Sequence, residues 1–475
     1  MPSSRTESSH PDRDRLASER GLHRLFSWAV TVSPNQIPVD ARRRATQILF
    51  DDISAMVGAW REPEFRRLFP ILMQSSRGSV STVFCQPGTK ADPETAAVVN
   101  AAAANWLELD EGYRTTPCHA GLYVLPALLA SAEADGTSTD TLVATLAVAY
   151  ELITRVARAF PQQPAVMQSH GRFAALGAAM AVALHRRMTA QQLMDVASAA
   201  VTLITPSPRN HLALGALVRN VWAAAGARSG MNIADWVVAD IAGCPGSIYD
   251  VYCTVLRGGC QPAALTEDLG ESWAVTQGYT KMYACCQHLH AAVEAALDIR
   301  ALVWEKGVGN VAAIHVLTHD LALPLQNARP HNTLSAKFSM AHAIAAALLA
   351  GQGGASAFHS GTVRDPATQA LRERVTMAPW PGAIPPAPND RPARVEIRFT
   401  DGSLLVGECL SARGGADRPF APEELMDKMR QLTGDTFPML AEVAARAIEG
   451  HSPLLSRPWS ETVRVMQAQA LTEAS

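Results

Sequence analysis

The chain has 475 residues, of which 48% are hydrophobic and 18% are charged, and its formal net charge is -3. This composition is typical of a folded globular protein that is large enough for two structural units. General nucleic-acid binders and membrane-surface binders usually carry a basic face, so the near-neutral charge argues against both classes of partner.

The N-terminal half reads as a polar tail followed by helices. Residues 1–19 are rich in Ser, Pro and charged residues and lack the apolar core of a secretory signal, which predicts a flexible tail and a cytoplasmic protein. No stretch reaches the roughly 18 consecutive apolar residues of a membrane helix. From residue 20 to about residue 242, Ala-, Leu- and Val-rich runs separated by short polar links predict helices almost throughout.

After Tyr249 the pattern changes to mixed helices and strands. Residues 310–319 alternate like a half-buried strand, and residues 394–409 predict a hairpin that turns at Asp401-Gly402. A predicted helix at 335–349 and a proline-rich connection at 379–392 lie between them. We therefore predict an α+β domain over 272–415. The flanking segments 20–271 and 416–475 are predicted to form one helical domain, so the fold class is mainly α.

Residues 100–133 place an acidic cluster and one histidine between two strongly helical runs. Glu108, Asp110 and Glu111 follow the first run, and His119 precedes the second. Carboxylates near a helix C-terminus meet the negative end of the helix dipole, a placement that stability alone does not favour. The segment is therefore a candidate acid/base site, and a solvated acidic loop is the alternative that the sequence leaves open.

Two further positions suit chemistry on an anionic ligand. His170 stands at the start of an Ala-rich helix, where it can act as a neutral base or simply cap the helix. Arg219 lies one turn before Trp222 in a run of small residues that allows close helix packing. It either binds an anionic ligand or pairs with a buried carboxylate.

Residues 280–290 crowd a lysine, two cysteines and two histidines into one short segment. The spacing of Cys285, Cys286, His288 and His290 does not match the ligand pairs of a tetrahedral zinc site, so we predict no metal here. The cysteines are either small buried residues or nucleophiles. Dinucleotide, P-loop and serine-hydrolase motifs are absent from the sequence.

Four segments, taken in chain order, resemble the MmgE/PrpD family, which includes 2-methylcitrate dehydratase, cis-aconitate decarboxylase and iminodisuccinate epimerase. Residues 100–111 resemble the family's NGxxAHxLDFDD run, and residues 119–133 its HPSAxVLPAxLALAE run. Residues 281–286 resemble its KxYxxC segment, and residues 336–351 its AxFSxxYxVAxALxxG helix. The resemblance extends over roughly residues 20 to 460.

The resemblance implies a large all-helical domain built from both chain ends, a smaller α+β lid domain and a homodimer. It also implies lyase or isomerase chemistry, without a cofactor, on a small di- or tricarboxylate. His119 and His170 match the family's two active-site histidines, and Lys281 matches its lid-side lysine. Several positions depart from the decarboxylase pattern: Glu108 replaces Asp, Gly112 replaces Thr, Arg219 replaces Lys, Trp222 and Cys286 replace His, and His342 replaces Tyr.

These assignments lead to one hypothesis and two alternatives. His119 and His170 are expected to move a proton at a carbon next to a carboxylate, where cationic groups stabilise the developing negative charge. The residues expected to contact the substrate are Glu108, Asp110, Arg219, Lys281 and His342. The alternatives are an epimerase or isomerase of an amino- or imino-dicarboxylate, and a non-catalytic relative that only binds its ligand.

Overall fold

Helices dominate the fold, which confirms the predicted mainly α class. A computed structural model describes residues 11–162 and 166–469. The α-helices are α1 (Pro11–Thr31), α2 (Val39–Gly58), α3 (Pro63–Met73), α4 (Pro93–Ala104), α5 (Ala120–Ala134), α6 (Thr139–Ala159), α7 (Ser169–His185), α8 (Ala190–Ala200), α9 (Asn210–Ala213), α10 (Trp222–Val238), α11 (Ser247–Tyr249), α12 (His290–Lys306), α13 (Thr333–Lys337), α14 (Met340–Ala350), α15 (Ser360–Arg364), α16 (Pro366–Arg372), α17 (Pro422–Thr433), α18 (Leu440–Ile448) and α19 (Trp459–Met466). The strands are β1 (Ser81–Thr82), β2 (Lys90–Ala91), β3 (Gly112–Tyr113), β4 (Gly278–Tyr279), β5 (Val311–Thr318), β6 (Val375–Pro379), β7 (Ala393–Phe399) and β8 (Leu404–Cys409).

The N-terminal tail predicted for residues 1–19 is wrong from residue 11 onward, because α1 begins at Pro11. Residues 1–10 lie outside the described residues. The polar residues of this segment form the outer face of an amphipathic helix, while Leu22, Leu25 and Phe26 are buried. The Arg15 guanidinium donates to the Asp250 carboxylate at 2.9 Å and ties the start of α1 to the bundle. Polarity alone could not distinguish a solvated helix face from a tail.

Helices α4, α5, α7 and α10 form the centre of the bundle and pack closely through small residues. A Cβ atom at Gly226 of α10 would overlap Ala174 of α7, so glycine sets the distance between the two backbones. Of the helices after residue 416, α17 and α18 pack on α2, whereas α19 packs on α5, α6 and α18, and all three share the hydrophobic core of the bundle. The domain boundaries near 271 and 415 stay predictions. Within the described ranges, no helix is both long and apolar enough to cross a membrane.

The second hydrophobic core lies under a four-stranded sheet with the order β6-β5-β7-β8. Strand β5 and the β7–β8 hairpin confirm the predicted strand and hairpin, and Gly402 in the turn has φ +82°. Strand β6, parallel to β5, was not predicted, because it runs directly into the proline-rich stretch. The helix predicted at 335–349 is divided at Ser339, whose hydroxyl caps α14 by accepting the His342 N–H at 3.0 Å.

A two-stranded ladder connects the acidic loop to the segment that follows the bundle. Gly112 pairs with Tyr279, and Tyr113 pairs with Gly278, in antiparallel register. Because Lys281 comes two residues after this ladder, the pairing places it beside the loop that carries Glu108 and Asp110. The ladder therefore assembles the candidate site from segments more than 160 residues apart.

Candidate active site

The acidic loop turns its carboxylates into the protein. Glu108 has φ +56°, a left-handed conformation that costs free energy for a residue with a side chain. This turn follows α4 and directs Glu108, Asp110 and Glu111 inward, where each is at most 2% exposed. The alternative of a solvated acidic loop is therefore wrong.

Two carboxylates and two cations form an ion cluster, the inner cluster, made of Glu108, Asp110, Arg219 and Lys281. Arg219 pairs with Glu108 and also donates to the Asn105 side-chain oxygen at 2.7 Å. The Lys281 ammonium lies 3.6 Å from Glu108 and 3.5 Å from Asp110. Burial alone would lower the pKa of Lys281, but Asp110 and Glu108 outweigh burial and raise it above its ordinary value. The inner cluster thus matches two carboxyl side chains with two cationic side chains, and Lys281 is held in its charged form.

His119 is held at Nδ1 by two acceptors. Its Nδ1 lies 2.7 Å from an Asp110 oxygen and 2.8 Å from the Glu111 carbonyl oxygen. Because both neighbours can only accept, Nδ1 carries a proton and Nε2 faces away with its lone pair in the neutral tautomer. Burial would raise the pKa of Asp110, but Lys281 and His119 hold it well below its ordinary value. Asp110 therefore stays a carboxylate and orients the imidazole.

His170 is a second imidazole with its Nε2 unoccupied. The Tyr123 hydroxyl donates its proton to the Ser169 hydroxyl at 3.0 Å. The Tyr123 oxygen is therefore left to accept from His170 Nδ1, also at 3.0 Å. His170 Nε2 is buried and has no hydrogen-bond partner within the described part of the chain. Burial, followed by the positive charge of Arg219, lowers the pKa of His170 well below its ordinary value, so the ring is neutral near pH 7.

The structure brings the two predicted histidines together. The ring centroids of His119 and His170 are 5.1 Å apart, and the ring planes are inclined by 74°. His119 caps the start of α5, and His170 lies in the first turn of α7. Two helix starts therefore hold a pair of imidazoles beside the inner cluster.

Sequence reasoning missed a buried carboxyl pair behind His119. The Glu111 carboxylate accepts the Gly121 N–H at 2.6 Å and the Tyr150 hydroxyl at 2.8 Å, while Asp52 accepts the Glu111 N–H at 3.1 Å. Burial raises the pKa of Glu111 to about 7, and burial together with Glu111 raises the pKa of Asp52 well above its ordinary value. Both carboxyls therefore bind a proton more tightly than they would in water. The available signal was the acidic pair Asp51-Asp52 within the mostly apolar second half of α2.

His342, which was expected to contact substrate, lies elsewhere. Its Nε2 is 2.9 Å from the Ala357 carbonyl oxygen, and its Nδ1 accepts from Arg372 at 3.1 Å. Both ring nitrogens are thus used inside the core beneath the sheet. The helix break at Ser339 and the contact with Arg372 could not be read from the sequence.

The remaining surroundings offer no metal site among the described residues. No group of three or more His, Cys, Asp or Glu side chains within 11–162 and 166–469 is arranged to hold a metal ion. Burial raises the pKa of both Cys285 and Cys286, which disfavours a reactive thiolate. A surface groove of about 670 Å³ lies beside Glu62 and Thr368, and neither His119 nor His170 lines it.

Comparison with known proteins gives matches along most of the chain. The MmgE/PrpD N-terminal domain matches residues 23–257, and the MmgE/PrpD C-terminal domain matches residues 283–451. A cis-aconitate decarboxylase-like protein, oryM, of Aspergillus oryzae is 24% identical over 443 residues, which cover 86% of this chain and 89% of the relative. A cis-aconitate decarboxylase of Aspergillus terreus is 25% identical over 441 residues, with coverage of 86% and 88%.

Proposed function

The chain belongs to the MmgE/PrpD family, and on this premise we propose that it is a lyase that removes CO2 or water from a small di- or tricarboxylate. One observation carries the proposal. The imidazole rings of His119 and His170 lie 5.1 Å apart beside the inner cluster, and neither Nε2 atom has a hydrogen-bond partner in the described part of the chain. Such a pair can move a proton to or from a substrate carbon without bulk water.

His119 is the group proposed to carry the mobile proton. Asp110 lies against its Nδ1 and stabilises the imidazolium that forms when Nε2 takes up a proton. Among the described residues no acid lies at hydrogen-bond distance from His170, so its role is to accept a hydrogen bond from the substrate and to hold the reacting carbon near His119. The different neighbours of the two rings give them different tasks.

The proton balance is simple for either reaction. In decarboxylation the bond to a carboxylate breaks, its electron pair passes to the adjacent conjugated system, and CO2 leaves. The His119 imidazolium then donates its proton to the carbanion and regains one from solvent. In dehydration neutral His119 removes the proton next to a carboxylate, and the C–O bond breaks as the C=C bond forms. The departing hydroxide takes the proton from the His119 imidazolium and leaves as water, so His119 ends neutral.

The inner cluster is proposed to position substrate oxygens. The substrate contacts expected for Glu108, Asp110, Arg219 and Lys281 stay predictions, since these four side chains neutralise one another here. Lys281 nevertheless lies 3.5 Å or more from both carboxylates, which is longer than an ordinary N–H···O bond. Its ammonium therefore keeps donors for a substrate oxygen on which negative charge develops.

A product screen tests this proposal. The purified protein is incubated separately with cis-aconitate, 2-methylcitrate and amino-dicarboxylates, and the products are identified by mass spectrometry and chiral chromatography. A mass lower by one CO2 or one water supports the lyase. An unchanged mass with altered stereochemistry indicates the epimerase instead, and binding without conversion indicates a non-catalytic relative.

The homodimer and the absence of a cofactor remain predictions. Light scattering coupled to size-exclusion chromatography checks the first. Activity that persists after extensive dialysis against chelator checks the second. A monomer, or activity restored only by an added metal or cofactor, would contradict them.

A further inference from the structure

Arg114 and Arg391 lie beside the ladder that carries Tyr279 and are closer to solvent than the inner cluster. The side chains of Arg114 and Arg391 are each 14% exposed, whereas those of Arg219 and Lys281 are 1% exposed. Arg391 contacts the Arg114 backbone, two residues after Gly112, and Gly112 pairs with Tyr279. The two guanidinium groups therefore lie next to the segment that leads to Lys281.

Arg391 is fixed in place by neutral groups and shares one acid. It donates to the Gln287 side-chain oxygen, and to the Arg114 carbonyl oxygen at 3.2 Å. An Asp390 oxygen lies 2.7 Å from the Arg114 guanidinium, whereas the distance from Asp390 to the Arg391 guanidinium is longer, 3.8 Å. One carboxylate, closer to Arg114, thus serves two guanidinium groups, and the charge of Arg391 is left largely unmatched.

Arg209 approaches from the helical side and has no acid partner. Its N–H donates to the Val166 carbonyl oxygen at 3.0 Å, in a segment where Gln168 and Ser207 are also hydrogen bonded. In the described part of the chain, its side chain forms no ion pair.

Burial, followed by the positive charges of Arg391 and Arg209, lowers the pKa of His288, whose Nδ1 has no hydrogen-bond partner in the described ranges. Leu212, one turn after Arg209, packs with Phe338 against Cys286. The outer arginine group (Arg114, Arg209 and Arg391) therefore has one carboxylate, Asp390, which pairs with Arg114 and Arg391.

Tyr279 places an unused hydroxyl between the outer arginine group and the inner cluster. It is 7% exposed, and its hydroxyl, which is not fully buried, makes no hydrogen bond to residues 11–162 and 166–469. A Cβ atom at Gly112 would overlap this hydroxyl, so the glycine makes room for it. Burial raises the pKa of Tyr279 to about 12, so the hydroxyl is protonated and able to donate.

We propose that Arg391, Arg209 and the Tyr279 hydroxyl form a second carboxylate subsite, which binds the end of the substrate remote from the reacting carbon. The inner cluster already pairs its two cationic side chains with two carboxyl side chains, so the surplus of positive charge in the outer arginine group selects a multiply charged anion. That the reacting carbon lies at His119 and the remote end of the substrate at this subsite rests on the proposed function. It favours di- and tricarboxylates over monocarboxylates, because a guanidinium matches a carboxylate in shape and charge.

Titration calorimetry with inert anions tests the subsite. Tricarballylate, butyrate and inorganic phosphate are titrated separately into the wild-type protein, Arg391→Met and Arg394→Met. Arg394 lies on the same strand and pairs with Glu408 at 2.6 Å, so it serves as a matched control. We expect Arg391→Met to weaken tricarballylate binding by about 10- to 100-fold and to leave butyrate binding unchanged. Arg394→Met should match the wild type.

Tyr279→Phe and Arg209→Met guard against a folding defect in Arg391→Met. The Tyr279 hydroxyl and the Arg209 side chain make no hydrogen bond to the described residues, so both variants should keep the wild-type melting temperature. Each should weaken tricarballylate binding by several-fold.

Three results would overturn the subsite: wild-type affinity in Arg391→Met and Tyr279→Phe, no tricarballylate binding by the wild type, or phosphate binding as tight as tricarballylate. Arginine-dependent tricarballylate binding without turnover of any substrate would instead refute the lyase and leave the subsite standing.

Discussion

The inner cluster and the outer arginine group use the same kinds of side chain but balance their charges differently. Glu108 and Asp110 match Arg219 and Lys281 one for one, in a region closed to water. In the outer arginine group, the only ion-pair partner among the described residues is Asp390. Matched buried charges fix geometry, whereas unmatched cations near solvent remain available to an anionic ligand. The comparison separates residues that hold the histidines from residues that select the substrate.

Removal of one acid from each region should give the largest difference in the free energy of unfolding. Glu108→Ala leaves Arg219 buried beside neutral groups, so we expect a loss of about 3–5 kcal/mol in the free energy of unfolding. Asp390→Ala removes a partly exposed partner and should cost less than about 1 kcal/mol. Urea unfolding of both variants measures the difference. Glu108→Gln keeps the shape and isolates the effect of charge, and equal losses for the two alanine variants would refute the distinction.

A steric test addresses the contact that joins the two regions. Gly112→Ala should destabilise the fold by about 1–3 kcal/mol, because its new methyl group meets the Tyr279 ring and hydroxyl. The same change made with Tyr279→Leu should cost much less, which gives a coupling free energy in a double-mutant cycle. Gly309→Ala is the control, since its Cβ meets no atom within 4 Å. The absence of coupling would mean that Tyr279 does not occupy this space.

The carboxyl pair behind His119 predicts a smaller, pH-dependent effect. The pKa of Glu111 is raised from 4.5 to about 7 and that of Asp52 is also raised, both chiefly by burial. An acid whose pKa is higher in the folded state than in the unfolded state binds its proton more tightly when folded. Its contribution to stability is complete below the unfolded-state pKa and is lost as the pH rises through the folded-state pKa. The wild type should therefore lose stability between about pH 4.5 and pH 8.

Asp52→Asn should remove part of that loss. The variant keeps the shape of Asp52 and lets an amide donate toward Glu111, so it should be about 1–2 kcal/mol more stable than the wild type at pH 8. At pH 5 it should have no such advantage. Chemical unfolding at the two pH values checks this, and an unchanged pH dependence would show that Asp52 plays no part in that loss.

Local sequence patterns predicted the elements well but the pairings between them only in part. The alternation of residues 310–319 and the Asp401-Gly402 turn were sufficient to predict β5 and the β7–β8 hairpin. His119 and His170 were assigned to the site because they match the family's two histidines, and their roles stay predictions. Periodicity cannot show that Gly112 lies against Tyr279 or that Arg391 donates to the Arg114 carbonyl oxygen, since these contacts depend on how distant segments pack. For the same reason, His342 was assigned to the site although its ring is used elsewhere.

Steady-state kinetics of His119→Gln and Arg391→Met on the substrate found by the product screen tests the division of roles most directly. His119→Gln should lower kcat by about 100- to 10,000-fold and change KM only a few-fold, since it removes the proton carrier. Arg391→Met should raise KM by about 10- to 100-fold and keep kcat within a few-fold, since it removes a substrate contact. A near-normal kcat in His119→Gln, or a loss of kcat at unchanged KM in Arg391→Met, would contradict the account.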